Sequence, residues 1–183
     1  MAVPARSGLT YDDYASLPDD GQRWEIIDGE AYVNPAPNTR HQRVLLRIVT
    51  ELNTHVAAHG GGEVFVAPYD VVLSEHDIVQ PDVLFVADAD AHQITDANLQ
   101  GAPTLAVEVL SNPRHDQVRK RALYERAGVG EYWIVDPNAD RVEVYRLPAG
   151  ARTYPTATLY ERGMTLTTDV LPGLAIDIAK LFS

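Results

Sequence analysis

The apolar positions of the chain follow two periods. Between Val79 and Asp136 they gather into short unbroken runs: Val83-Leu84-Phe85-Val86, Leu105-Ala106-Val107 continuing past one glutamate to Val109-Leu110, and Tyr132-Trp133-Ile134-Val135. Runs of this length without polar alternation predict strands buried on both faces. From about Asn38 to His59 the period changes, with Val44, Leu45, Ile48, Val49, Leu52 and Val56 at helical spacing and Gly60 to Gly62 closing the segment. That pattern predicts a long amphipathic helix packed on the sheet.

The flanking segments predict smaller elements. Thr10 with Asp13 forms a capping pattern for a short helix starting near Tyr11 and stopping before Pro18. Asp28-Gly29 splits Arg-Trp-Glu-Ile-Ile from Glu-Ala-Tyr-Val and predicts a hairpin, which Pro35 and Pro37 end. Residues 63–67 and 69–73 read as strands joined at Pro68, and 74–77 as a turn leading into the Asp82 strand. Residues 88–100 read as a polar loop with a short helix. Ser111-Asn112-Pro113 opens a basic helix that Gly128 and Gly130 end. Residues 141–147 alternate as a half-exposed strand, and the tail from Arg152 to Ser183 offers a strand pair and a closing helix near 175–182. Strand, strand, helix, strand in the centre, with hairpins at either end, predicts an α/β chain of the α+β kind: a central mixed sheet flanked by helices. The strands either side of the basic helix form a right-handed crossover if they are parallel.

Composition adds bounds rather than detail. The 183 residues fit a single domain, 1–183, large enough for a core without staples. There is no cysteine, so disulfides, thiolate catalysis and cysteine-held zinc are excluded. No run has the length of a membrane span or of a signal-peptide core, so a cytoplasmic protein is expected. The formal charge of −11 lowers the expectation of strong non-specific nucleic-acid binding.

Two acids interrupt the driest runs. Asp82 precedes Val83 to Val86, and Glu108 lies between Val107 and Val109. An ionised carboxylate is costly there without a cation or several hydrogen bonds. Side chains alternate along a strand, so Glu108 shares a face with Ala106 and Leu110, and Asp82 with Leu84 and Val86. On neighbouring strands the two converge, and a hard divalent cation is the simplest species to hold them together. The alternatives are a strand-end acid capping amides for Asp82 and an arginine-paired buried acid for Glu108. Glu25 is a third carboxylate in an apolar strand, readable equally as an extra ligand, a water-orienting base or an edge-strand acid facing water.

The basic residues are unevenly spread. Arg114, Arg119, Lys120, Arg121 and Arg126 account for five of the fifteen lysines and arginines, and Arg40, Arg43 and Arg47 form a second group near His41. A solvated helix face explains such charges without function, and an Asp116–Lys120 pair at i,i+4 would account for that lysine. A nucleic-acid groove would need both groups on one concavity. His41 at a helix start reads as a surface or capping residue, with reach to substrate if Arg40 and Arg43 line the groove. Trp24, Tyr132 and Trp133 read as core or interface aromatics rather than base-stacking platforms. Asp70 and Asp136 remain undecided, the latter simplest as a turn former.

The order Pro81-Asp82, Glu108-Val109-Leu110, then Lys120 resembles a variant of the PD-(D/E)XK nuclease core. Trp-Glu-Ile-Ile-Asp-Gly-Glu, Gln-Pro-Asp-Val, Val-Glu-Val-Leu-Ser-Asn-Pro, Asp116 with Lys120 and Tyr124, and Gly-Val-Gly-Glu-Tyr-Trp-Ile-Val-Asp-Pro resemble, in order from Tyr11 to Pro137, the Uma-two family of restriction-like endonucleases. The superfamily's lysine two residues after the glutamate is replaced by Leu110, and Lys120 matches the position of a lysine on the following helix. The resemblance implies a restriction endonuclease-like core and metal-dependent phosphodiester hydrolysis. Asp82, Glu108 and the Val109 carbonyl would hold Mg2+ or Mn2+ and Lys120 would position water or offset phosphate charge. Glu25 would assist, and Arg40, His41, Arg43, Arg114, Arg119 and Arg121 would face the nucleic acid. DNA is expected over RNA on family grounds, and a homodimer by analogy with nucleases that cut two strands. Two other readings stand beside this one: an inactive binding or assembly module of the same fold, and a hydrolase of small phosphoesters.

Overall fold

The structure, a computed structural model, describes residues 8–17, 21–34, 36–111 and 117–183. In chain order the elements are α1 (Tyr11–Ala15), β1 (Arg23–Ile27), β2 (Glu30–Asn34), α2 (Thr39–His59), β3 (Gly62–Val66), β4 (Asp70–Ser74), β5 (Asp77–Val79), β6 (Val83–Ala87), a 3-10 turn (Asp88–Gln93), β7 (Asn98–Gln100), β8 (Leu105–Val109), α3 (Gln117–Ala127), β9 (Glu131–Asp136), β10 (Arg141–Arg146), β11 (Thr158–Tyr160), β12 (Thr165–Thr167), β13 (Ala175–Asp177) and α4 (Ile178–Leu181).

A six-stranded sheet in the order β11-β10-β9-β8-β6-β3 forms the centre. It is mixed: β8 and β9 run parallel across α3, and every other neighbouring pair is antiparallel. The three apolar runs supply β6, β8 and β9, which are buried on both faces as their lack of alternation predicts. One face packs Val83, Phe85, Val107, Val109, Trp133 and Val135 against Val44, Ile48 and Leu52 of α2 and the C-terminal hairpin β12–β13 with α4. The opposite face presents Leu84, Val86, Ala106 and Ile134 to Leu123 and Tyr124 of α3.

The opposite face also carries a second sheet. Its five strands run β2-β1-β5-β4-β7, and Ile27, Val71, Val79 and Leu99 join the same core as α3. The mixed sheet flanked by helices expected from the sequence is present, with α2 on one face and α3 on the other, and the second sheet joins α3 on its face. Residues 63–67 and 69–73 do form neighbouring strands in sequence, but β3 joins the large sheet and β4 the small one, so the chain changes sheet at Pro68. The turn at 74–77 leads first into β5, which pairs with β4 and β1, and only then to Asp82. Two strands, β5 and β7, were not expected; at three residues each they are too short to show a period.

Local signals act as expected elsewhere. Thr10 and Asp13 form a reciprocal capping box. Asp28 and Gly29 both adopt positive φ, 54° and 74°, which a two-residue type I′ hairpin requires. Asn38 caps α2 through the His41 N–H, and Gly60 at φ 71° ends it. Among the described residues no helix is long and apolar enough to cross a membrane.

Candidate functional site

The site forms where the chain passes from the small sheet to the large one, at Gln80-Pro81-Asp82. Strands β6 and β8 are neighbours, with Val83 opposite Val107, so the same register carried one residue further sets Asp82 opposite Glu108. The expectation that the two strands adjoin is met. Asp82 lies just before β6, and its carboxylate meets His41 of α2 instead of the α3 helix that covers Leu84. Its Oδ2 accepts the Val109 N–H at 2.9 Å and lies 3.1 Å from His41 Nε2, while Oδ1 accepts from Arg23 at 3.3 Å. In extended backbone the N–H and C=O of one residue point to the same edge. The Val109 carbonyl therefore faces the edge on which Asp82 sits.

Glu108 points to the other face and meets α3. Its Oε1 accepts from Lys120 Nζ at 3.0 Å and from the Tyr124 hydroxyl at 2.8 Å. Lys120 also donates to Glu25 Oε1 at 3.0 Å, so the two glutamate oxygens are no further apart than twice that distance. Glu25, from β1 of the small sheet, is 0 % exposed; it takes a second bond from the Gln80 N–H at 2.8 Å, and its Oε2 is buried with no partner among the described residues. The reading of Glu25 as an edge-strand acid facing water is thereby corrected. Its strand β1 lies inside, between β2 and β5 of the small sheet, and β2 takes the edge.

Lys120 is 3 % exposed, which corrects its reading as part of a solvated helix face. It shares a helical stripe with Leu123, Tyr124 and Ala127, a spacing visible in the sequence that would have placed it inward. Its other suggested partner, Asp116, lies outside the described residues, as does Arg114. His41 is likewise buried, on the α2 stripe with Val44, Ile48 and Leu52. The expectation of a surface histidine is corrected: it reaches Asp82 from beneath, and its Nδ1 has no partner among the described residues.

Electrostatics separate the two acids. Burial raises the Asp82 pKa, but the His41 hydrogen bond and charge, the Val109 amide and Arg23 outweigh it, and the carboxyl is held below its usual value. For Glu108 burial is the largest influence and raises the pKa; Lys120 opposes it, the Asp82 and Glu25 charges reinforce it, and the net shift is upward. Among the described residues, Glu25, Asp82 and Glu108 thus gather around Lys120, Arg23 and His41.

Sequence reasoning assigned no role to Arg23 or Gln80. Arg23 shares the Glu25 face of β1 and donates to the Gln80 carbonyl at 2.8 Å as well as to Asp82. Gln80 also donates through its side chain to Asp70 at 2.8 Å and to the Tyr14 hydroxyl at 2.9 Å. Asp70 therefore supports Gln80 at one remove from the acids. Tyr132 and Trp133 are core residues, as expected.

Among the described residues, the two groups of arginines do not come together. α2 and α3 pack on opposite faces of the large sheet. Arg40 pairs with Asp140 at 2.6 Å, and Arg47 donates to the Leu181 carbonyl. Arg119 lies over the Tyr32 ring at 4.1 Å, Arg121 over Tyr145 at 5.3 Å, and Arg126 pairs with Asp28 and Asp77. Arg43 is exposed.

The donor set is one of hard oxygens, which suits magnesium or manganese rather than softer ions. Among the described residues no three histidine, aspartate or glutamate side chains group tightly enough to enclose a metal. Two carboxylates and a carbonyl, completed by water, need no such group. The buried Glu25 oxygen, unpartnered among the described residues, fits a cation or its water held at this site.

A crystal structure described as a putative nuclease belonging to DUF820 from Anabaena variabilis ATCC 29413 superposes with a TM-score of 0.80 over 95% of this chain and 97% of that one, at 19% identity. At that identity the likeness establishes the fold. No curated protein matches the chain. The family model Uma2, described as putative restriction endonuclease, matches residues 11–179, and the chain belongs to that family.

Proposed function

We propose that the protein is a divalent-metal-dependent phosphodiesterase acting on nucleic acid, with DNA as the first substrate to test. The observation that carries this reading is the juxtaposition of Asp82 and Glu108 across adjacent strands, with a buried lysine bridging Glu108 to Glu25. Asp82, Glu108 and the Val109 carbonyl would hold the ion, and Glu25 Oε2 is placed to hold or orient water nearby. A bound ion supplies Lewis-acid polarisation of the scissile phosphate and acidifies a water molecule.

The rest falls to the chain. Lys120, a fixed cation in a dry site, offsets charge developing on phosphate oxygens. His41 and the Val109 amide hold Asp82 in one rotamer. Gln80 fixes Glu25 through its backbone N–H, and Tyr14 and Asp70 fix Gln80. Arg23 is partly exposed and is the residue best placed to exchange Asp82 for a substrate phosphate.

Calorimetric titration with Mn2+ is the test. Wild type is expected to bind, and Asp82→Ala and Glu108→Ala to lose binding together with cleavage of plasmid DNA. Absence of any metal affinity in the wild type would instead favour the inactive binding module, in which Arg23 serves as the permanent partner of Asp82.

A further inference from the structure

Beside Asp82, on the α2 side of the large sheet, lies an open cleft with a volume of about 280 Å3. Arg23, His41 and Asp82 line its polar end, and Leu45, Leu46 and Val66 are among its apolar walls. Leu46 and Val66 are 68 % and 43 % exposed, so apolar surface stands open to water directly beside charged groups. That combination, apolar side chains leading to a partly exposed guanidinium that a phosphate can draw from Asp82, suits a nucleotide: walls for a base and a cation for its phosphate.

We infer that this cleft takes one unpaired nucleotide next to the scissile phosphate, so that the substrate is a single strand or frayed end rather than continuous duplex. The inference rests on the phosphodiesterase reading and narrows its substrate. Size agrees, since the cleft is at the lower edge of the roughly 300–1,000 Å3 of small-ligand sites and holds a nucleotide, not a duplex. The charge distribution agrees independently. Duplex binding draws on a broad run of phosphate contacts, whereas the arginines of α2 and α3 lie on opposite faces of the sheet and several are taken up by Asp140, Asp28, Asp77 and tyrosine rings. A single strand also needs only one scissile site per turnover, so a second copy of the chain is not required.

The test is fluorescence anisotropy in EDTA, where no hydrolysis occurs, using a labelled single-stranded DNA 12-mer and the same sequence closed as a hairpin duplex. The single strand is expected to bind about tenfold or more tighter, and Leu46→Glu to weaken it about tenfold, the scale of one lost base-stacking contact. Leu46→Phe, which offers a flat ring, is expected to strengthen it. Leu159→Glu, at an exposed position on β11, serves as the charge control and is expected to leave binding unchanged. Equal affinity for both forms, no response to Leu46→Glu, or no binding of either overturns the inference. Metal-dependent hydrolysis of bis(4-nitrophenyl) phosphate, too small to need the cleft, is read in parallel. Hydrolysis of that ester without strand discrimination sinks the subsite alone; no hydrolysis and no metal affinity sinks the parent reading.

Discussion

Asp82 and Glu108 stand opposite each other in the register of two neighbouring strands, yet their surroundings differ in every partner. Asp82 receives donors from three directions, a guanidinium, an imidazole and a backbone amide, and is held ionised. Glu108 shares a single lysine with a second glutamate, and its charge is disfavoured by burial. One corner holds its charge without help; the other resists ionisation. The difference suggests a division of labour, in which Asp82 is a preformed anchor and the Glu108–Glu25 corner is where an incoming cation changes the energetics most.

The largest expected effect comes from removing the shared lysine. Lys120→Met leaves two buried carboxylates without their cation, and breaking such a buried pair costs about 3–5 kcal/mol. Urea unfolding should show this loss, and saturating Mg2+ should recover more stability in the variant than it adds to wild type, because the ion then takes over the charge that Lys120 supplied. An equal Mg2+ increment in both proteins would place the ion away from this corner. Arg23→Met, by contrast, leaves Asp82 with His41 and the Val109 amide, and should cost far less.

The second effect is in pH dependence, where the two acids should pull in opposite directions. The folded-state pKa of Glu108 is raised, so its contribution to stability is fully present below the ordinary carboxylate range and is lost as pH rises through the raised value. Asp82 is lowered, so its contribution is present above the ordinary aspartate value and is lost as pH falls through the lowered one. Glu108→Gln should therefore flatten the alkaline side of a stability profile and Asp82→Asn the acid side, each removing a slope of up to about 1.4 kcal/mol per pH unit. Denaturant titrations at intervals of one pH unit would read both. Parallel profiles for the two variants would remove the contrast. Mg2+ should act as a proton-releasing ligand on the Glu108 side only, since ionised Glu108 is the form that ligates.

Much of this arrangement can be read from side-chain pattern, and the parts that cannot have physical reasons. The β6, β8 and β9 runs are legible because a doubly buried strand cannot tolerate polar alternation, and the acids within them stand out for the same reason. Lys120 and His41 also carry a signal, their places on the buried stripes of α3 and α2, but a charged or polar residue on an apolar stripe is ordinarily discounted in favour of a surface role. Gln80 leaves no such trace. Its importance comes from a backbone N–H aimed at Glu25 and from tertiary contacts with Tyr14 and Asp70, which lie far away in sequence. The second sheet is hidden too, because β5 and β7 are three residues long and the change of sheet at Pro68 depends on which core each side chain finds.

The smallest expected effect tests whether Glu108 is truly the acid whose charge is in play. Tyr124 is fully buried and donates to Glu108 Oε1. A hydrogen bond to a neutral group contributes roughly 0.5–1.5 kcal/mol and one to a charged group roughly 1.5–3. If Glu108 is neutral at low pH and ionised at high pH, then Tyr124→Phe should cost about 1 kcal/mol at low pH and more as pH rises through the Glu108 transition. Tyr154→Phe provides the reference, because that hydroxyl donates to the Val129 carbonyl, which carries no titrating charge, at 2.7 Å. Its cost should stay level over the same range. Two pH-independent losses of equal size would mean that Tyr124 never meets a charged partner, and Glu108 would then be as settled as Asp82, with the Lys120 corner no longer in need of a cation.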